Sequence, residues 1–284
     1  MFLFIIDMII SPIQTNYNYS IKPQKSLTRT VQPKLGKPCK NVSFEGMSRI
    51  LGSQTIDHFL KHAEIVGETT IYKKYNLGFM SKFLERFFPI KVVVVKCNRP
   101  KFPESTIFSL FEKGFEKSKT LAELDSKELG IMEVMSRKTK DIGKFYLPKV
   151  NEYRSHIHLK RTLPENYLQI EYLASFEGIK YHGIGTQLLN IATEESQKRG
   201  FGGNITLFCL NDIPADYLKH SKYFEQMKQE KPTPFYYKFG LTSDPETNEI
   251  VKKKDYYLDR FYMYLPDDKR QKLLLELKKT PILR

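Results

Sequence analysis

Tryptophan is absent from this chain, and cysteine occurs only at Cys39, Cys97 and Cys209. An odd cysteine set without close pairs supplies neither a zinc knuckle nor a paired disulfide framework. A reducing compartment, and hence a cytoplasmic setting, is the expectation. Cys97 and Cys209 fall in apolar strand-like runs, where a free thiol serves as a small buried hydrophobe rather than a nucleophile. Long apolar runs are also missing. The opening MFLFIIDMII is too short to cross a bilayer, carries Asp7 and has no positive leading region, so neither a membrane span nor a secretory signal is expected. Acidic residues are missing from Met8 to Phe44, where Lys22, Lys25, Arg29, Lys34, Lys37 and Lys40 alternate with Pro12, Pro23, Pro33 and Pro38. Residues 1–45 therefore read as a disordered basic tail.

What is present is enough for a packed core: 284 residues, 40% of them apolar, which length alone divides into one or two domains. The net charge of +14 comes from 46 basic and 32 acidic residues dispersed along the chain. Such an excess steers any polyanion, so it fits an anionic cofactor as well as nucleic acid. No aromatic-basic RNA motif accompanies it, and a nucleic-acid partner is the weaker reading.

Residues 46–89 read as a short helical extension. Ser53 offers a cap, and Ile56, Phe59, Leu60 and Ala63 share a face. His58 and His62 stand at metal-chelating spacing on that helix but lack a recognisable third ligand, so no metal is expected. From residue 90 to 265 the pattern alternates. IKVVVVKC predicts a strand, Ser105 to Leu124 a helical stretch, and IMEVMSRK, RSHIHLKR and YLQIEYLASF three further strands. A helix, the strand NITLFCLND and the strand DYYLDRFYMYL follow. Between those last two strands, Asp212 to Lys231 reads as an inserted helix, and Lys252 to Lys254 as a solvated turn. Residues 266–284 carry a C-terminal helix. The fold class is mixed α/β, a mostly antiparallel central sheet flanked by helices.

The stretch Tyr167 to Gly200 is the most informative: an apolar strand, a glycine-bearing turn, then an amphipathic helix with Ile184, Leu188, Ile191 and Ala192 on one face. A helix starting near Gly183 aims its first free N–H groups and its positive dipole end at whatever lies above the turn. Glycines at 183 and 185 let a phosphate approach the main chain without meeting a Cβ. The turn is neither a P-loop, since no Lys-Ser/Thr follows, nor a dinucleotide fingerprint, since Leu188 replaces the third glycine.

The turn instead resembles the signature of the GNAT superfamily of N-acetyltransferases, Gln/Arg-x-x-Gly-x-Gly/Ala, answered here by Lys180-Tyr181-His182-Gly183-Ile184-Gly185. Lysine at the first position keeps the cation and loses the planar fork. Downstream, a strand ends at Asn211, and PFYYKFGL, Pro234 to Leu241, is similar to the family's Phe-Tyr-x-Lys-x-Gly-Phe segment with leucine for the last aromatic.

The resemblance implies a GNAT-like fold over residues 90–265 and direct acetyl transfer from acetyl-CoA to a primary amine, without a metal. It implies that main-chain groups of Leu173, Ala174 and Ser175 pair with the pantetheine arm. It also implies that Lys180, Tyr181, His182, Gly183, Ile184, Gly185 and Thr186 hold the pyrophosphate, and that Asn211 helps hold the donor. Tyr236 matches the residue that protonates the leaving thiolate, with neighbouring Tyr237 as the alternative. Glu171 is the candidate base, with a salt-bridged strand residue as its alternative reading. Two competing classes stay open: a coenzyme A-binding sensor without turnover, and a basic nucleic-acid-associated protein.

Overall fold

The computed structural model describes residues 46–74, 89–99, 102–142, 150–176, 180–210, 232–253 and 260–284. The expectations for the basic tail, Cys39, Asn211 and the Asp212 to Lys231 insertion lie outside these residues. The chain forms an eight-stranded, mostly antiparallel sheet in the order β6-β1-β2-β3-β4-β5-β7-β8. These strands are β1 Glu64–Lys73, β2 Pro89–Arg99, β3 Phe102–Glu112, β4 Glu128–Lys138, β5 Asn166–Ser175, β6 Tyr181–His182, β7 Ile205–Leu210 and β8 Arg260–Tyr264. The helices are α1 Met47–Ile50, α2 Ile56–His62, α3 Leu121–Ser126, α4 Val150–Thr162, α5 Ile184–Lys198, α6 Pro232–Phe239, α7 Pro245–Lys253 and α8 Asp267–Lys279. Among the described residues no helix is long and apolar enough to cross a membrane.

Both sheet faces are covered, which is why β2 can be an unbroken valine run. Val92 and Val94 join the core under α5, together with Phe108, Leu110, Leu188 and Ile191. Val93, Val95 and Cys97 point the other way, into a second core with Phe59, Phe111, Phe115 and Leu124. A smaller cluster, Ile142, Leu159, Leu163, Tyr167 and Tyr264, lies where α4 packs on the sheet.

Four secondary-structure expectations are corrected. The helical extension stops at His62, capped by Thr55 rather than Ser53, and the chain continues as β1, which pairs with β2. Ser105 to Leu124 begins as β3 rather than as helix. Its residues Ile107, Phe108, Leu110 and Phe111 have spacings that suit a helix, but both faces of the strand are buried. RSHIHLKR lies within α4. Its buried stripe is Ser155, His156, Leu159 and Leu163, and the two polar residues on that stripe disguised the helical period. The Lys252 to Lys254 turn is, through Lys253, the end of α7.

The first of the helices is fastened to the sheet by an unusual group. Glu128 is buried, accepts hydrogen bonds from the Met47 N–H at 3.1 Å and the Ser109 hydroxyl at 2.5 Å, and has no ion-pair partner among the described residues. Burial pushes its pKa up to about 8. The folded chain therefore holds a proton there that the unfolded chain has released over the window from about 4.5 to about 8. Stability from this group is complete below the lower value and is lost as pH rises through the upper one. In urea titrations between pH 5 and pH 9, Glu128→Gln is expected to flatten the alkaline fall in midpoint. An unchanged slope in the variant would assign the pH dependence to other groups.

Candidate functional site

A bulge in β5 creates the central feature. On β4, Glu133 pairs with Tyr172 and the next residue, Val134, pairs with Ile170, so Glu171 is the extra residue. At the same level the parallel ladder between β5 and β7 ends. It comprises Leu168 with Ile205, Gln169 with Thr206, and Ile170 with Leu207. Beyond it β5 stays with β4 as far as Ser175, and β7 stays with β8 as far as Leu210. Two parallel neighbours thus part after three rungs. The main chain of Leu173, Ala174 and Ser175 borders the resulting wedge on the side facing β7.

Helix α5 crosses from β5 to β7 and brings its first turn to the wedge. An alanine-type Cβ built on Gly130 of β4 would lie 2.5 Å from Ile184 Cγ2 and 2.8 Å from the carbonyl oxygen of Ala174. The first turn of α5 therefore rests directly on the wedge-lining end of β5. Its N-cap is Gly183 with φ +92°, which supplies no side-chain cap, and no acidic residue occupies the first turn. The dipole at this end is thus uncompensated by side-chain anions of the first turn. Gln187 N–H bonds back to Gly183 O at 2.8 Å, which leaves the N–H groups of Ile184, Gly185 and Thr186 as the turn's opening donors.

The two turn glycines have different surroundings. At Gly183 a Cβ would meet only the edge of the Tyr72 ring at 4.0 Å. At Gly185 it would lie 2.9 Å from the tip of the Phe235 ring, on α6. Open approach to the main chain therefore describes Gly183, whereas Gly185 admits an aromatic from the next helix. The upstream part of the cradle is also partly committed. Tyr181 and His182 pair with Lys73 and Tyr72 of β1, and the Lys74 N–H donates to Lys180 O at 2.8 Å. Lys180 and His182 are exposed beside the half-exposed Tyr72, and Thr186 is exposed on the helix.

Helix α6 carries the two tyrosines, and the structure separates them. Tyr236 is buried in the core beneath α5, while the Tyr237 hydroxyl donates to Asn248 Oδ1 at 2.5 Å. Cys209 lies beside Thr233 at 3.3 Å, and burial pushes its thiol up to about 12, as it does that of Cys97. Neither thiol is a thiolate near neutrality, which agrees with packing roles.

Across the sheet, the α4 side of the wedge holds Glu171, whose carboxylate accepts from Arg137 at 2.8 Å. The salt-bridged alternative for Glu171 is thus the observed arrangement, and a proton can be taken only at the expense of that pair. Residues unremarked in the sequence gather on this side: Phe208, Tyr262 and His156. His156 lies in a segment whose local pattern suggests a strand, and its place on a helix facing β8 has no signature in that pattern. His58 and His62 stand 4.5 Å apart by ring centroids on exposed α2. Among the described residues no group of three or more metal-ligating side chains gathers.

No family model, no curated protein and no solved structure matches this chain.

Proposed function

We propose that this protein is an acyl-CoA-dependent N-acyltransferase of GNAT-like architecture, with acetyl-CoA as donor and a primary amine as acceptor. The observation that carries the reading is the wedge itself: two parallel strands parted by the Glu171 bulge, with the glycine-capped mouth of α5 resting on one of them. A pantetheine arm carries amides at strand-like spacing and can pair with the bordering main chain of Leu173, Ala174 and Ser175. Its diphosphate then falls to the N–H groups of Ile184, Gly185 and Thr186, with Lys180 near enough in the chain to add positive charge and His182 to add a ring nitrogen. A GNAT-like fold over residues 90–265 would have to include β1 as well, since β1 belongs to the same sheet.

The chemistry balances without an enzyme intermediate. The amine nitrogen bonds to the acyl carbon, the carbon–sulfur bond breaks, the sulfur departs as thiolate and takes a proton, and the amine loses one. Tyr236 is the assigned proton donor to sulfur, as the residue at the position that the family resemblance implies, buried beneath α5. With excess acetyl-CoA, at about a hundred times its dissociation constant, unfolding stability should rise by about 2.7 kcal/mol. Thiol release with an amine panel should then follow, and Tyr236→Phe is expected to lower kcat about tenfold to a hundredfold with donor binding kept. Absence of the acetyl-CoA shift in the wild-type chain sinks the reading.

A sensor that binds the donor without turnover is the second reading, favoured by the pairing of Glu171 with Arg137. It predicts the stability shift without thiol release. A tight acetyl-CoA shift with no release across the panel would select it.

A further inference from the structure

Helix α2 presents a pair of histidines that acyl transfer leaves unused. The helix is short but firmly seated. Thr55 Oγ1 accepts the His58 N–H at 3.2 Å, the Ala63 N–H donates to Phe59 O at 3.0 Å, and Phe59 is buried in the second core with Phe111 and Phe115. His58 and His62, at i and i+4, therefore share one exposed side of a fixed turn. That core lies on the sheet face opposite α5, so the pair stands apart from the glycine-capped mouth.

The hydrogen bonds of the two rings are those of metal ligands. His62 Nδ1 lies 2.8 Å from the carbonyl oxygen of His58. A carbonyl only accepts, so Nδ1 carries the hydrogen and the neutral ring keeps its lone pair on Nε2. His58 Nδ1 lies 3.2 Å from Ser53 Oγ, which can accept in the same way. Among the described residues nothing hydrogen-bonds to Nε2 of either ring. Metal-bound histidines characteristically donate their second ring N–H to a carbonyl or another acceptor, which fixes tautomer and orientation. The spacing agrees as well. Two imidazoles that share one ion at a right angle, through bonds of about 2.0–2.1 Å, have centroids about 4.5 Å apart. The rings of His58 and His62 are 4.5 Å apart with 34° between their planes, an angle that rotation about the metal–nitrogen bonds leaves free.

We propose that His58 and His62 clasp one divalent ion of the class that prefers imidazole, Zn(II), Ni(II) or Cu(II), through their Nε2 atoms, with water in the remaining positions. The sequence pattern argues against a metal for want of a third ligand, and among the described residues no group of three gathers. Two protein ligands make a weaker site than the four of a structural zinc centre, so the ion is exchangeable. It spans one turn of α2 and stabilises that helix and its junction with β1 rather than the fold as a whole. Mg(II), which takes oxygen ligands and parts reluctantly with its water, is excluded by the same chemistry.

The test titrates the untagged full chain, stripped of metal by chelator, with Zn(II) in a calorimeter, with Mg(II) as the control. Uptake of one Zn(II) per chain is expected, and none of Mg(II). His58→Ala and His62→Ala should each weaken Zn(II) binding by about tenfold or more, and the double variant should abolish it. Ser53→Ala, which keeps both ligands and frees the His58 ring, should weaken binding by about tenfold. Both histidines are exposed, so circular dichroism should show an unchanged fold in these variants. The acetyl-CoA stability shift should be the same with and without Zn(II). Absence of one-to-one uptake by the wild-type chain, or uptake retained in the double variant, would overturn the site and leave the rings as a stacked pair only. An acetyl-CoA shift that depends on Zn(II) would overturn its placement apart from the donor wedge.

Discussion

Gly67→Ala is expected to cost the protein about 3 to 5 kcal/mol, the largest effect of any single methyl group in the described structure. The reason is a backbone contact that no side-chain movement can relieve. A Cβ at Gly67 would stand 1.9 Å from the carbonyl oxygen of Ile282 and 2.9 Å from its carbon. Here β1 has an irregularity between Ile65 and Gly67, and the final residues of the chain close onto it. Gly67 bridges Leu283, and the Arg284 N–H donates to Val66 O at 2.7 Å. From the other side the buried Glu194 carboxylate of α5 accepts the N–H groups of Ile282 at 2.9 Å and Leu283 at 3.2 Å. Displacing the segment exposes two buried aliphatic side chains and takes two backbone donors from the Glu194 carboxylate, leaving it Lys198 at 3.8 Å, so the steric and polar losses fall together. Urea unfolding should show a lower midpoint with unchanged slope. A loss below about 1 kcal/mol would mean that the segment moves aside freely and that Lys198 suffices for Glu194.

That latch was illegible in the sequence, because it depends on residues more than two hundred positions apart. What could be read came from long, regular patterns. The stripe of Ile184, Leu188, Ile191 and Ala192 located α5, and the valine run located β2. The strands β4, β5 and β7 were expected where they occur, and α8 lies within residues 266–284, where a helix was expected. Failure came where two periods coincide or where a core face is polar. In β3 the two buried faces place apolar residues at helix-like intervals, and in α4 Ser155 and His156 occupy the inward stripe.

The candidate site divides along the same line. Gly183 could be singled out because a positive φ has a local signature. The Glu171 bulge could not, since it is defined only against the register of β4. Nor could the cluster of Phe208, Tyr262 and His156, which β7, β8 and α4 bring together from residues that are unremarkable in their own segments.

The glycine pair of the α5 mouth supplies the second large expected effect. Gly183→Val should abolish the acetyl-CoA stability shift of about 2.7 kcal/mol, while costing the unliganded fold about 1 to 2 kcal/mol for a side chain in the left-handed region. The prediction follows from the open surroundings of Gly183, where only the rim of Tyr72 lies within 4.0 Å. A branched side chain there obstructs the approach to the first N–H groups of α5 and little else. Gly185→Val should behave differently, because its Cβ meets Phe235 at 2.9 Å. It is expected to destabilise the unliganded protein by about 1 to 3 kcal/mol, and Phe235→Ala should recover part of that loss, the non-additivity expected of touching residues. The pair thus separates packing from binding at two positions that the sequence presents as equivalent. Retention of the full acetyl-CoA shift in Gly183→Val would show that the main-chain amides of α5 do not hold the diphosphate. The wedge would then remain as a feature of the fold without the ligand assigned to it.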